Sequence, residues 1–144
     1  MQYGHSKDHR PDLTQFKLMA AAAEPTGQFL ASDIVAGQCA DDPLYTPLIR
    51  RVRHLLGRRG LLYCGDCKMA ALATRADLVG NGDYYLTPLP RTGETAKQLE
   101  GWVNAIVDGK QMATLIWDGN TLLGAGYEFE RPQTATWQDV QGKA

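Results

Sequence analysis

The apolar positions of this chain fall into short runs separated by turn residues. Residues 15–23, QFKLMAAAA, fit a strand or a helix equally well. Glu24-Pro25-Thr26-Gly27 then sets proline and glycine where turns use them, and residues 28–37, QFLASDIVAG, read as a strand with Phe29, Ile34 and Val35 as apolar positions. A short Pro/Gly turn between two apolar runs predicts a β-hairpin, and this resolves the first run as strand. In residues 41–60, DDPLYTPLIRRVRHLLGRRG, the positions Leu48, Val52, Leu55 and Leu56 fall at helical spacing. Asp41 and Asp42 are N-cap candidates, Pro43 suits a first helical position, and Gly57 and Gly60 are stop signals.

The second half of the chain alternates. GLLYCG, 60–65, is an apolar run bounded by glycines, the pattern of a buried and parallel strand. Residues 68–79, KMAALATRADLV, predict a helix, GNGD a turn, and YYLTPL a second short strand halted by prolines. Helix, strand, helix, strand is the α/β signature, with parallel strands joined by a helical crossover. Residues 94–109 predict an amphipathic helix with Leu99, Trp102, Val103, Ile106 and Val107 on one face. Residues 113–130 predict a closing hairpin around Asp118-Gly119.

Composition narrows the class. The 144 residues suffice for a domain with a core, and 44% apolar with 22% charged residues is close to the globular average. A net charge of −1 argues neither for nor against a nucleic-acid partner. Three cysteines do not form a disulfide framework and imply a reducing, cytoplasmic setting. The polar start MQYGHSKDHRPD lacks the apolar region of a secretion signal, and no apolar run reaches the ~20 residues of a membrane helix.

Several stretches could carry chemistry. Cys64-Gly65-Asp66-Cys67 is literally a C-x-x-C between a strand and a helix. The sulfurs could serve redox chemistry or supply part of a zinc site, but a second tight pair is missing; the plain alternative makes Cys64 a small buried strand residue. Asp66 stands past the C-terminal end of a parallel strand, where α/β sheets gather ligands, and its oxygens suit Mg²⁺. It could equally N-cap the next helix. Gly65 permits a sharp turn or a close approach. In GHSKDHRPD, Lys7, His9 and Arg10 could hold phosphates, or the stretch is a solvated loop. Arg50, Arg51, Arg53, Arg58 and Arg59 could track a DNA backbone or form a solvated helix face. Trp102, Trp117 and Trp137 read as core or hairpin packing, and Glu128 and Glu130 share one face of the closing hairpin.

Four segments together resemble a known family. YGHSKDHRPDLTQFKLM, DIVAGQCADDPLY, LYCGDCKMAALATR and GDYYLTPL, in that order, resemble insertion-sequence transposases with a DDE catalytic core. The resemblance covers residues 3–90 closely and weakens to about residue 135. It implies DNA transposition: cutting of transposon ends and joining of the 3′-hydroxyl to target DNA. It implies a ribonuclease-H-like α/β fold whose two aspartates and one glutamate hold Mg²⁺ or Mn²⁺, ions that activate the attacking oxygen and steady the leaving one. Asp66 matches the second catalytic aspartate, as a metal ligand and not a nucleophile. Lys7, His9, Arg10 and Lys68 would contact DNA, as transposon end or target, with a second copy or a full-length transposase as a further partner.

The other two carboxylates have no match here. Asp8, Asp12 and Asp33 do not fit the first position, and Glu128 and Glu130 do not fit the third. The expectation is a truncated central fragment: a partial core over residues 1–110, then the start of a β-rich insertion over 111–144. The mixed sheet would lack its first, central strand and split into a hairpin and a strand pair, each with an unpaired inner edge. Such a chain would be marginally stable, catalytically silent and without stably bound metal. Whether it is itself an enzyme stays open. The alternative is a non-catalytic DNA-binding or regulatory remnant.

Overall fold

The structure is a computed structural model that describes residues 2–3 and 12–130. Lys7, His9, Arg10, Asp8 and Trp137 lie outside the described residues. The chain is mixed α/β and divides into two compact units, one reaching Pro88 and one beginning at Leu89.

In the first unit, β1 (Gln2–Tyr3), β2 (Thr14–Ala23) and β3 (Gln28–Ala36) form an antiparallel sheet in that order. The predicted hairpin is β2 and β3. Its register runs from Phe16 opposite Ala36 to Ala23 opposite Gln28, with an irregularity at Ala21/Ala22. Gly27 closes the turn at φ +66, donating to the Ala23 carbonyl at 2.8 Å. The two-residue β1 was not foreseen. It pairs with the start of β2, Gln2 opposite Gln15 and Tyr3 opposite Thr14.

The helix expected from residue 43 starts later. Asp42–Leu44 form a 3₁₀ turn, and α1 covers Tyr45–Leu56. No side chain caps either N-terminus. Asp41 instead pairs with Lys17 of β2 at 2.5 Å, an ion pair that competes with the capping role. Gly57 ends α1 in the left-handed conformation, φ +61, and donates to the Arg53 carbonyl, the helix stop that glycine supplies without strain. Leu48, Ile49 and Val52 are buried as α1 packs on β2 and β3, while Leu55 and Leu56 are exposed.

β4 (Leu62–Cys64) and β5 (Tyr84–Leu86) form a separate parallel pair joined through α2 (Leu72–Gly80). α2 begins four residues later than its apolar pattern suggests, because residues 67–70 form turns after Asp66. The expectation that β4 is buried is corrected: Leu62 is 61% exposed and Cys64 is exposed as well. β4 hydrogen-bonds to β5 alone and only Tyr63 of its three residues packs onto the core. That core is small, with Ile49, Met69 and Leu78 at its centre and Tyr45 and Tyr63 against it.

The second unit holds α3 (Gly93–Val107) and the hairpin β6 (Thr114–Asp118) and β7 (Thr121–Gly126). Trp102 packs against Phe129 with ring centroids 5.2 Å apart. Tyr127 donates its hydroxyl to the Trp102 carbonyl at 3.2 Å. Three expectations fail here. Val103 and Val107 are exposed rather than part of a covered face, Trp117 is 54% exposed, and Glu128 and Glu130 lie beyond the end of β7. The hairpin is too short and too little covered to bury both of its faces.

Candidate functional site

Asp66 follows β4 by two residues, at the C-terminal end of the parallel pair. Its position is built by a close-packed turn. Gly65 donates to the Leu86 carbonyl at 3.2 Å, tying the turn to β5. A Cβ on Gly65 would lie 2.6 Å from the Met69 sulfur, so only glycine lets buried Met69 fold back over the turn. Of the two readings of Gly65, close approach is the one observed.

The carboxylate is held through one oxygen. Oδ1 of Asp66 accepts the Tyr45 hydroxyl at 2.7 Å, the Lys68 N–H at 2.9 Å and the Met69 N–H at 3.4 Å. All three of these donors converge on Oδ1, and Asp66 is exposed. Capping therefore does occur, but it serves the turn at 67–70 and not α2, whose N-cap is Ala71. The Tyr45 hydrogen bond lowers the Asp66 pKa below the ordinary carboxylate value, helped by the two backbone donors and opposed by slight burial. Tyr45 moves the other way: partial burial, then its bond to the Asp66 carboxylate, raises the phenol well above its usual value.

A cleft of about 560 Å³ opens beside this site. Tyr45, Cys64 and Met69 line it near Asp66, Leu48, Ile49 and Val52 of α1 line it from the helix, and β2 and β4 contribute further walls. Its lining is apolar apart from the tyrosines and two charged residues, Glu24 and Arg58.

The basic stretch of α1 is largely committed to carboxylates. Arg50 meets Asp77 at 2.6 Å, and Arg51 meets Asp33 at 2.5 Å. Arg53 donates to buried Asp83 at 2.8 Å and reaches Asp77 at 3.3 Å. Asp83 also accepts the Leu61 N–H at 3.1 Å, joining α1 to the start of β4. Burial works against the charge on Arg53, but Asp83 and Asp77 outweigh it and raise its pKa. Sequence reading missed this cluster. Its signal was present, in the aspartates of TRADLVGNGD thirty or so residues beyond the arginines, but only the fold brings them together. Arg58 and Arg59 lie exposed beyond the end of α1, and Lys68 sits exposed in the turn beside Asp66.

Cys64 and Cys67 are free and exposed, as Cys39 is free and half-buried. No group of three or more histidine, cysteine or acidic side chains stands together among the described residues. Mg²⁺ calls for a shell of several oxygens, and among the described residues Asp66 does not belong to any group of three such side chains. Among the described residues no helix is long and apolar enough to cross a membrane. No family model, curated protein or solved structure matches the chain.

Proposed function

We propose that this chain is part of the ribonuclease-H-like core of a DDE transposase, with Asp66 as its second catalytic aspartate. The carrying observation is the setting of Asp66: exposed, past the end of a parallel strand, and fixed by three donors on Oδ1. A metal-binding carboxylate needs such a setting, since an orientation fixed beforehand reduces the cost of gathering ligands. The four sequence segments that resemble the family supply the reaction class: hydrolysis of DNA at transposon ends and transfer of the 3′-hydroxyl. In this reading Asp66 is a ligand, Lys68 a DNA contact, and the partners are DNA and other transposase chains. The alternative is a non-catalytic DNA-binding or regulatory transposase remnant.

The test is a Mg²⁺-dependent strand-nicking assay on this chain and on a chimera. The chimera supplies a first core strand and a glutamate-bearing helix from a DDE transposase. The chain alone is expected to leave DNA intact. The chimera is expected to nick it, with Asp66→Ala removing activity at least a hundredfold. Nicking by the chimera that survives Asp66→Ala refutes the assignment.

A further inference from the structure

Asn81-Gly82 is the one asparagine–glycine step in the sequence. Asparagine is a thermolabile side chain, and at such a step it can react with its own backbone. The glycine nitrogen gives up its proton and attacks the side-chain carbonyl carbon of asparagine. A succinimide ring closes, and the side-chain nitrogen leaves as ammonia. Water then opens the ring at either carbonyl. One opening gives aspartate; the other gives isoaspartate, with the main chain rerouted through the side-chain carboxyl. Glycine favours the attack because it carries no Cβ to obstruct it. The reaction consumes only water and requires no oxidant.

The fold holds every reacting group away from this path. Asn81 is the C-cap of α2, and Gly82 follows it in the left-handed region at φ +77. The Gly82 N–H donates to the Val79 carbonyl at 3.0 Å, and the Asp83 N–H to the Leu78 carbonyl at 3.0 Å. These are the two bonds of a Schellman helix stop. The proton that the attacking nitrogen must lose is therefore held by Val79. The leaving group is held too, because Nδ2 of Asn81 donates to the Asp77 carbonyl at 2.7 Å. Ring closure also needs the Gly82 nitrogen on the Cβ side of the Asn81 Cα–C bond. At the Asn81 ψ of 4°, that nitrogen eclipses the Asn81 backbone nitrogen instead.

The product cannot rebuild the stop. A carboxylate only accepts hydrogen bonds, so the Asp77 carbonyl loses the Nδ2 donor and faces a negative group. The C-terminal end of a helix disfavours that charge. Isoaspartate also lengthens the backbone by one carbon, which displaces Gly82 and Asp83 from their acceptors. Asp83 is the buried partner of Arg53 and accepts the Leu61 N–H. Damage at Asn81 thus reaches the joint between α1 and the start of β4.

We propose that Asn81 is a self-modification site, closed while the end of α2 is formed and open when that end comes undone. Helix ends open locally without global unfolding. Loss of ammonia at Asn81 then converts a reversible opening into a lasting one. The inference rests on the end of α2 alone and holds whether or not Asp66 is catalytic.

The experiment incubates the full chain beside a blocked peptide of residues 76–91 at the same mildly alkaline pH. Mass spectrometry of the tryptic fragment counts amide-to-carboxyl conversion at Asn81. Methylation by a protein isoaspartate carboxyl methyltransferase counts the isoaspartate share. Conversion in the chain is expected to be at least tenfold slower than in the peptide, and guanidinium chloride should abolish the difference. In Asn81→Asp, amide exchange at Gly82 and Asp83 is expected to quicken at least threefold. Equal conversion in chain and peptide, protection that survives guanidinium, or unchanged exchange at Gly82 and Asp83 in Asn81→Asp overturns the proposal.

Discussion

The Tyr45 hydroxyl donates to Oδ1 of Asp66 at 2.7 Å, linking the first residue of α1 to the turn that follows β4. One bond thus couples the start of a helix to the orientation of the candidate carboxylate. Tyr45→Phe should raise the Asp66 pKa towards the ordinary value, because its largest lowering cause is removed. Carboxyl ¹³C chemical shifts followed against pH measure it. In the native chain the stabilising contribution of ionised Asp66 is present above the unfolded carboxylate pKa of about 3.9. It is lost as pH falls through the lower folded value. An unchanged Asp66 titration in Tyr45→Phe contradicts the coupling.

Asp83→Ala should destabilise the fold by about 3 kcal/mol, since it leaves the half-buried Arg53 guanidinium without its closest partner. The Leu61 N–H loses its acceptor in the same change. Urea denaturation gives the number, and Arg51→Ala at the exposed pair with Asp33 should change it by less than ~1 kcal/mol.

Leu78 is 0% exposed and Val107 77% exposed, so truncating them should separate sharply. Leu78→Ala is expected to cost about 3 kcal/mol, through lost transfer energy and an unfilled cavity. Val107→Ala should fall within roughly ±0.5 kcal/mol. Similar values for both would show that the core lies elsewhere.

Gly65→Ala tests the turn. The new methyl meets the Met69 sulfur and forces a buried side chain to move, at a cost of about 1–3 kcal/mol. The Met69 N–H bond to Asp66 should weaken with it, visible as faster hydrogen exchange at that amide.

Chelation should leave the melting temperature unchanged, and Cys64→Ser with Cys67→Ser should do the same, because both sulfurs are exposed and free. A drop in melting temperature with EDTA, lost again in the double serine variant, would return the chemistry to the sulfurs.

The sequence patterns located the hairpin, the parallel pair and its crossover, because each depends on local periodicity and turn chemistry. Asp66 was legible for the same reason: a short apolar run followed by Gly-Asp marks a strand end. What stayed hidden is non-local. Nothing in GLLYCG distinguishes a covered strand from one whose neighbours leave it bare, so Leu62 and Cys64 were expected inside. The capping choice of Asp41 depended on Lys17, far away in the chain. The arginines of α1 read as a basic face until the fold supplied Asp33, Asp77 and Asp83.

That last arrangement turns a helix into a clasp. Arg50, Arg51 and Arg53 fasten α1 to β3, to α2 and to the residue preceding β5. Added salt weakens the exposed fastenings and spares the one on buried Asp83. The response of this chain to ionic strength is thus written first in how firmly its own layers hold together, and any loss of grip on a charged polymer has to be measured after that loosening is subtracted.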